Sequence, residues 1–146
     1  LLMDAANGVP KAIIDGSHLT DMRTGAVTAI GAKYLARRGS KVLGHIGARG
    51  TAYWNVRLLD HLFHFDEIRV HSRRPESRTS FAARLSRDLG KRVVATDDWQ
   101  SCVRGADIVV DPARTQGLKL RCLDRAGNAP AGKDVEQARL AVLEVA

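Results

Sequence analysis

The chain has 146 residues, with 23 Lys and Arg against 16 Asp and Glu, for a formal net charge of +7. That length fits one domain with a real core, no apolar run is long enough to span a membrane, and the start does not read as a signal peptide. Two cysteines, Cys102 and Cys122, fit neither a disulfide framework nor metal-ligand spacing, so a reducing, cytoplasmic setting is expected.

Leu1 to Ile14 reads as a hairpin turning through Asn7-Gly8. After the break at Asp15-Gly16-Ser17 a helix is expected from about Thr20 to Arg38, with Leu19, Met22, Ala26, Ala29, Ile30 and Lys33 or Tyr34 facing inward and Gly39 at its end. Lys41 to Ile46 is a short apolar run and reads as a buried strand. It breaks into Gly47-Ala48-Arg49-Gly50, and apolar residues then return at helical spacing as Ala52, Val56, Leu59 and Phe63. Glu67 to Ser72 is a second strand, followed by a helix with Pro75 in its first turn and Phe81, Ala82, Leu85 and Leu89 inward. Arg92 to Thr96 is a third strand. Asp97 or Asp98 then caps a short helix with Trp99 and Val103 inward, and Asp107 to Val110 is a fourth strand. Residues 113–133 show no periodicity, and Val135 to Val145 reads as a helix.

Strands alternating with helices through short links predict an α/β fold with a parallel sheet covered on both faces. Strand, glycine turn and helix in that order aim backbone N–H groups and the positive end of a helix dipole at an anion. A second parallel strand beyond them completes the dinucleotide-binding βαβ unit of a Rossmann-type domain. Against the pattern G-x-G-x-x-G/A, Gly47 takes the first position, Ala52 the last, and Arg49 stands where the middle glycine belongs. The candidate cofactor-binding residues are therefore Gly47, Ala48, Arg49, Gly50 and Thr51. They are joined by Ser72, Arg73 and Arg74 at the end of the second strand. An NAD-specific site places an Asp or Glu there for the ribose 2′-hydroxyl, whereas a serine and two arginines suit a 2′-phosphate, so NADP is favoured over NAD.

Three segments together resemble the ornithine cyclodeaminase/mu-crystallin family. They are Ile14-Asp15-Gly16-Ser17-His18-Leu19-Thr20-Asp21-Met22-Arg23-Thr24-Gly25-Ala26 continuing to Lys33-Tyr34-Leu35-Ala36-Arg37, the glycine turn Gly47 to Ala52, and Val103 to Val110. The resemblance covers residues 1–111 and implies an NAD(P)-dependent enzyme transferring hydride at the carbon bearing nitrogen of an amino or imino acid. It implies that Arg23 holds the substrate carboxylate, a task that suits the guanidinium fork. Thr51 stands where the family has glutamine and Arg49 where it has glycine. Neither the preceding substrate domain nor the motif with the catalytic acid is matched.

The expected organisation is a hairpin and linking helix over residues 1–40 at the junction with a substrate domain, a dinucleotide-binding core over 41–112, and a divergent tail over 113–146 that ends in a helix. On this reading the chain is the coenzyme-binding portion of a cyclodeaminase or imine/ketimine reductase, inactive alone. Its apolar hairpin and first helix favour a homodimer. The alternative is a non-catalytic, truncated dinucleotide-binding or interaction module. Nucleic-acid binding is disfavoured because the positive charge is scattered and aromatics make up 5% of the chain. Of the five histidines, His61 and His64 share a helix face without completing a metal set. His45, inside a buried strand, is expected to be a hydrogen-bonded core residue, and Cys102 a packing residue.

Overall fold

A computed structural model describes residues 1–111 and the strand Ala141–Leu143. The chain opens with an antiparallel pair, β1 (Leu2–Met3) and β2 (Pro10–Ala12). Its turn is closed where Asn7 Oδ1 accepts the Val9 amide at 3.0 Å and the Asp4 amide donates to the Val9 carbonyl at 2.9 Å. The long helix α1 (Ser17–Leu35) follows, beginning and ending three residues earlier than its sequence suggests. Asp15 Oδ1 accepts the Ser17 amide at 2.9 Å and so starts the helix before Thr20, while Ala36 is already extended.

The inward face of α1 differs from the expected one. Thr24, Gly25, Thr28, Ala29 and Ala32 are buried, whereas Leu19, Met22, Val27, Ile30 and Tyr34 are exposed, and so is Lys33. Small residues win because α1 packs closely on the next helix: a Cβ on Gly25 would stand 2.8 Å from the Trp54 carbonyl carbon. The large apolar side chains of α1 lie away from α2, so its own pattern points to a side that this contact does not use.

The remaining elements are β3 (Val42–Ile46), α2 (Gly50–Phe63), β4 (Glu67–His71), α3 (Pro75–Leu89), β5 (Val93–Ala95), α4 (Trp99–Val103), β6 (Ile108–Val110) and β7 (Ala141–Leu143). The main sheet has the order β5-β4-β3-β6-β7 and every described pairing in it is parallel. The tail is therefore not helical throughout. Ala141–Leu143 pair with β6 as a fifth strand, since a parallel sheet edge offers unpaired backbone groups that a Val- and Leu-containing segment can satisfy. The rest of the predicted terminal helix, and Cys122, lie outside the described residues.

Strand β3 carries the core on both of its faces. Leu43 and His45 point into the large cluster with Val56 and Leu59 of α2 and Phe81 and Leu85 of α3, together with Ile68 and Val70 of β4. Val42 and Ile46, alternate in the pleat, pack against Val103, Ala106 and Val109 on the other face. Trp99, expected inward, is 50% exposed, because α4 is one short turn whose buried side is taken by Cys102 and Val103. Among the described residues no helix is long and apolar enough to cross a membrane.

The start of β3 is pinned by a side chain 65 residues away. Asp107, just before β6, accepts the amides of Lys41 at 2.8 Å and Val42 at 3.1 Å through Oδ2, and takes Arg37 Nη2 on Oδ1 at 2.5 Å. Removing that acceptor leaves three donors short of a partner. Asp107→Ala is expected to cost about 3 kcal/mol, read as a lowered urea midpoint with unchanged slope; an unchanged midpoint would show that water replaces the carboxylate.

Candidate functional site

The strand order reverses between β3 and β6, and open α/β sheets take ligands outside the carboxyl ends of their strands at such a point. The residues after β3 lie at that point. Gly47 has φ of 106°, a left-handed backbone that side chains strain to adopt, and its amide donates to the His71 carbonyl at 2.7 Å. The chain then turns through Ala48 to Arg49, which is extended and caps α2 without a side-chain hydrogen bond. Gly50 and Thr51 follow as the first helical residues, so the amide end of a 14-residue helix stands just beyond the carboxyl end of β3. Arg49, in the place of a glycine, is exposed rather than folded into the turn.

A residue absent from the sequence-based set also lies here. Asp21 of α1 accepts Thr51 Oγ1 at 3.1 Å, and a Cβ on Gly50 would meet its Oδ2. The absence of a side chain at Gly50 therefore lets α1 bring a carboxylate against the first turn of α2, where negative charge is favoured. No local pattern links Asp21 to a turn 30 residues on.

The second group of predicted residues stands at the end of β4. Ser72 is half-buried, Arg73 and Arg74 are exposed, and Arg74 is the residue before Pro75 at the start of α3. Arg78, one turn into α3, reaches back to the Ser72 carbonyl at 3.4 Å and pairs with Asp97. Its position as a third basic group of this corner depends on the turn before α3. The glycine turn and this corner lie side by side, because Gly47 is bonded to His71, the residue preceding Ser72. Arg23 is not in this group. It is exposed, two residues from Asp21 and so on the opposite side of α1, on the same side as the exposed Leu19, Val27 and Ile30.

Beneath the turn lies a buried polar pair. His45 is fully buried, with Nδ1 3.1 Å from the Gly47 carbonyl and Nε2 3.3 Å from Asn55 Nδ2. The carbonyl can only accept, so Nδ1 carries the proton and Nε2 accepts from the amide. Burial pushes the ring's pKa down to about 4, against which the bond to Gly47 is a smaller effect. The expectation of a hydrogen-bonded core histidine is met. Cys102 packs below it, its thiol 3.5 Å from the His45 carbonyl, and burial pushes its pKa up to about 11. A thiol so protonated is a packing group and not a nucleophile at neutral pH. Among the described residues no three His, Cys, Asp or Glu side chains gather to hold a metal ion.

Comparison with known proteins gives these features a lineage. The model of the ornithine cyclodeaminase/mu-crystallin family matches residues 1–117. The ketimine reductase mu-crystallin of Rattus norvegicus is 37% identical over 110 residues, which is 75% of this chain and 34% of that protein. Among solved structures, the Thermococcus litoralis Delta(1)-pyrroline-2-carboxylate reductase in complex with NADH and L-proline is similar with a TM-score of 0.72 at 30% identity, over 74% of this chain and 33% of that one. An archaeal alanine dehydrogenase dimer with bound NAD gives a TM-score of 0.69 at 30% identity, over 77% and 35%. The chain spans about a third of the length of the curated relatives it matches.

The buried ring makes stability depend on acid. With a folded pKa near 4 against 6.5 when exposed, His45 is protonated in the unfolded chain first, so stability falls as pH drops from about 6.5 towards 4. Between pH 7 and pH 5 its share of that loss is expected to be about 2 kcal/mol. Urea titrations at both pH values should show this difference shrinking in His45→Leu; an equal loss in both proteins would remove His45 as its source.

Proposed function

Because this chain belongs to the ornithine cyclodeaminase/mu-crystallin family, we propose that it is the coenzyme-binding portion of a cyclodeaminase or imine/ketimine reductase. One observation carries the reading. A glycine turn at the sheet's switch point leads into α2, whose N-cap Arg49 makes no side-chain hydrogen bond, and a helix amide end of this kind suits a pyrophosphate. Gly47, Ala48, Gly50 and Thr51 would lie along that phosphate group, with exposed Arg49 supplying a cation in place of close backbone approach. The dinucleotide would supply hydride exchange at its nicotinamide ring. The protein's residues orient it and hold the anionic groups.

Ser72, Arg73 and Arg74 would receive the adenosine ribose, and the exposed arginines support NADP over NAD. Arg74 precedes the positive end of α3, where Glu76 in the first turn already supplies a negative charge and an added phosphate would supply more. Arg23 would hold the carboxylate of an amino or imino acid. Its support is its place on the uncovered apolar side of α1, which would face the partner surface that completes a substrate site. The same exposed side favours a homodimer, and the cysteine usage favours the cytoplasm. By itself the chain is expected to bind coenzyme and not turn over substrate, since it spans a third of its relatives.

Titrating NADPH and NADH while following nicotinamide fluorescence tests this. The Arg73→Asp/Arg74→Ala double variant is expected to weaken NADPH about tenfold or more and leave NADH within about twofold. Equal binding of NADPH before and after would remove the 2′-phosphate assignment. Failure of the unaltered chain to bind either coenzyme would remove the coenzyme reading itself.

A further inference from the structure

We propose that His45 is a positioning residue for the coenzyme, its ring holding the Gly47 carbonyl from below while Asn55 holds the ring. This rests on the coenzyme reading above. Gly47 is the hinge of the whole turn, and both of its polar groups are tied to residues that do not belong to the turn. Its amide is held by the His71 carbonyl at 2.7 Å and its carbonyl by His45 Nδ1 at 3.1 Å. Two bonds on opposite sides of one residue fix the rotation of the peptide that follows, and with it the direction in which Ala48 and Arg49 lead into α2. The third contact, Asn55 Nδ2 to Nε2 at 3.3 Å, comes from the second turn of α2 itself. One ring therefore joins the strand that carries it, the turn that follows and the helix whose amide end the turn presents.

The cost of this arrangement argues that it does more than fill the core. Asn55 is fully buried and its Oδ1 has no partner among the described residues. Rotating the amide would not relieve it, because Oδ1 would then face the lone pair of Nε2. An apolar pair such as leucine and valine would pack the same space without an orphaned acceptor. Neutrality of the ring completes the case, since burial keeps it unprotonated well below neutral pH and so leaves Nε2 able to accept from Asn55. The chain keeps a two-sided hydrogen-bonding ring at a position where bulk alone would serve the fold.

Two measurements on the intact chain decide the matter. Long-range 15N spectra of the imidazole at pH 7 are expected to show the Nδ1–H tautomer; the Nε2–H tautomer would overturn the bond to Gly47 and the proposal with it. His45→Leu, compared with the unaltered chain by thermal unfolding and by NADH fluorescence titration, is expected to fold with cooperative unfolding yet bind NADH about tenfold more weakly. A folded leucine variant with a Kd within about twofold of the unaltered chain would show that the ring only fills space. If His45→Leu does not fold, Asn55→Leu takes its place: weakened NADH binding supports the positioning role and unchanged binding overturns it. An unaltered chain that binds no dinucleotide overturns the coenzyme reading and this inference together, whereas binding that survives the substitutions overturns this inference alone.

Discussion

The carboxylate of Asp107 decides where the central strand begins. By taking the amides of Lys41 and Val42 it ties the first residues of β3 to the entrance of β6, and Arg37 ties the same carboxylate to the segment after α1. A parallel strand has no tight turn to set its register, so something outside the ladder must do so. With Leu43 set opposite Ile68 and Ile108, the pleat sends Leu43 and His45 to one face and Val42 and Ile46 to the other. The strand then ends level with β4, and Gly47 meets His71. A one-residue slip would bury the wrong set of side chains and part Gly47 from His71.

From that alignment the candidate site assembles out of parts remote in the chain. Strand β3 supplies the turn, β4 the serine and arginine corner, and α1 the carboxylate of Asp21 against the start of α2. The charges there oppose one another. Asp21 offsets the positive end of α2, while Arg49, after β3, and Arg73 and Arg74, after β4, are cations left exposed to solvent. Charged groups held in water at the rim are a small influence on stability but a large one on which anion enters. The fold is thus secured at the amino end of the strands, by Asp107 and Arg37, while the candidate site lies at the carboxyl end.

The first 35 residues follow a different rule. Hairpin and α1 leave Leu2, Met3, Ile13, Ile14, Leu19, Val27, Ile30 and Tyr34 exposed, while the face turned to α2 is made of threonine, glycine and alanine. Close backbone approach through small residues gives α1 its hold on the domain without using its large apolar side chains. Those remain available on the other side, next to Arg23.

Element order, the parallel α/β class and the glycine turn at the end of β3 could be read from the chain alone. They rest on local chemistry, namely helical against alternating periodicity, proline and glycine at helix ends, and a broken apolar run. The core faces of α2 and α3 were legible for the same reason, since each helix is apolar on one side only. Which side of α1 is buried, the outward position of Trp99, the strand at Ala141–Leu143, and the meeting of Asp21 with Gly50 and of Asn55 with His45 were decided by the tertiary structure. Each of these depends on a surface contributed by a distant part of the chain, and a one-dimensional pattern records what a residue prefers without recording which neighbour arrives to satisfy it.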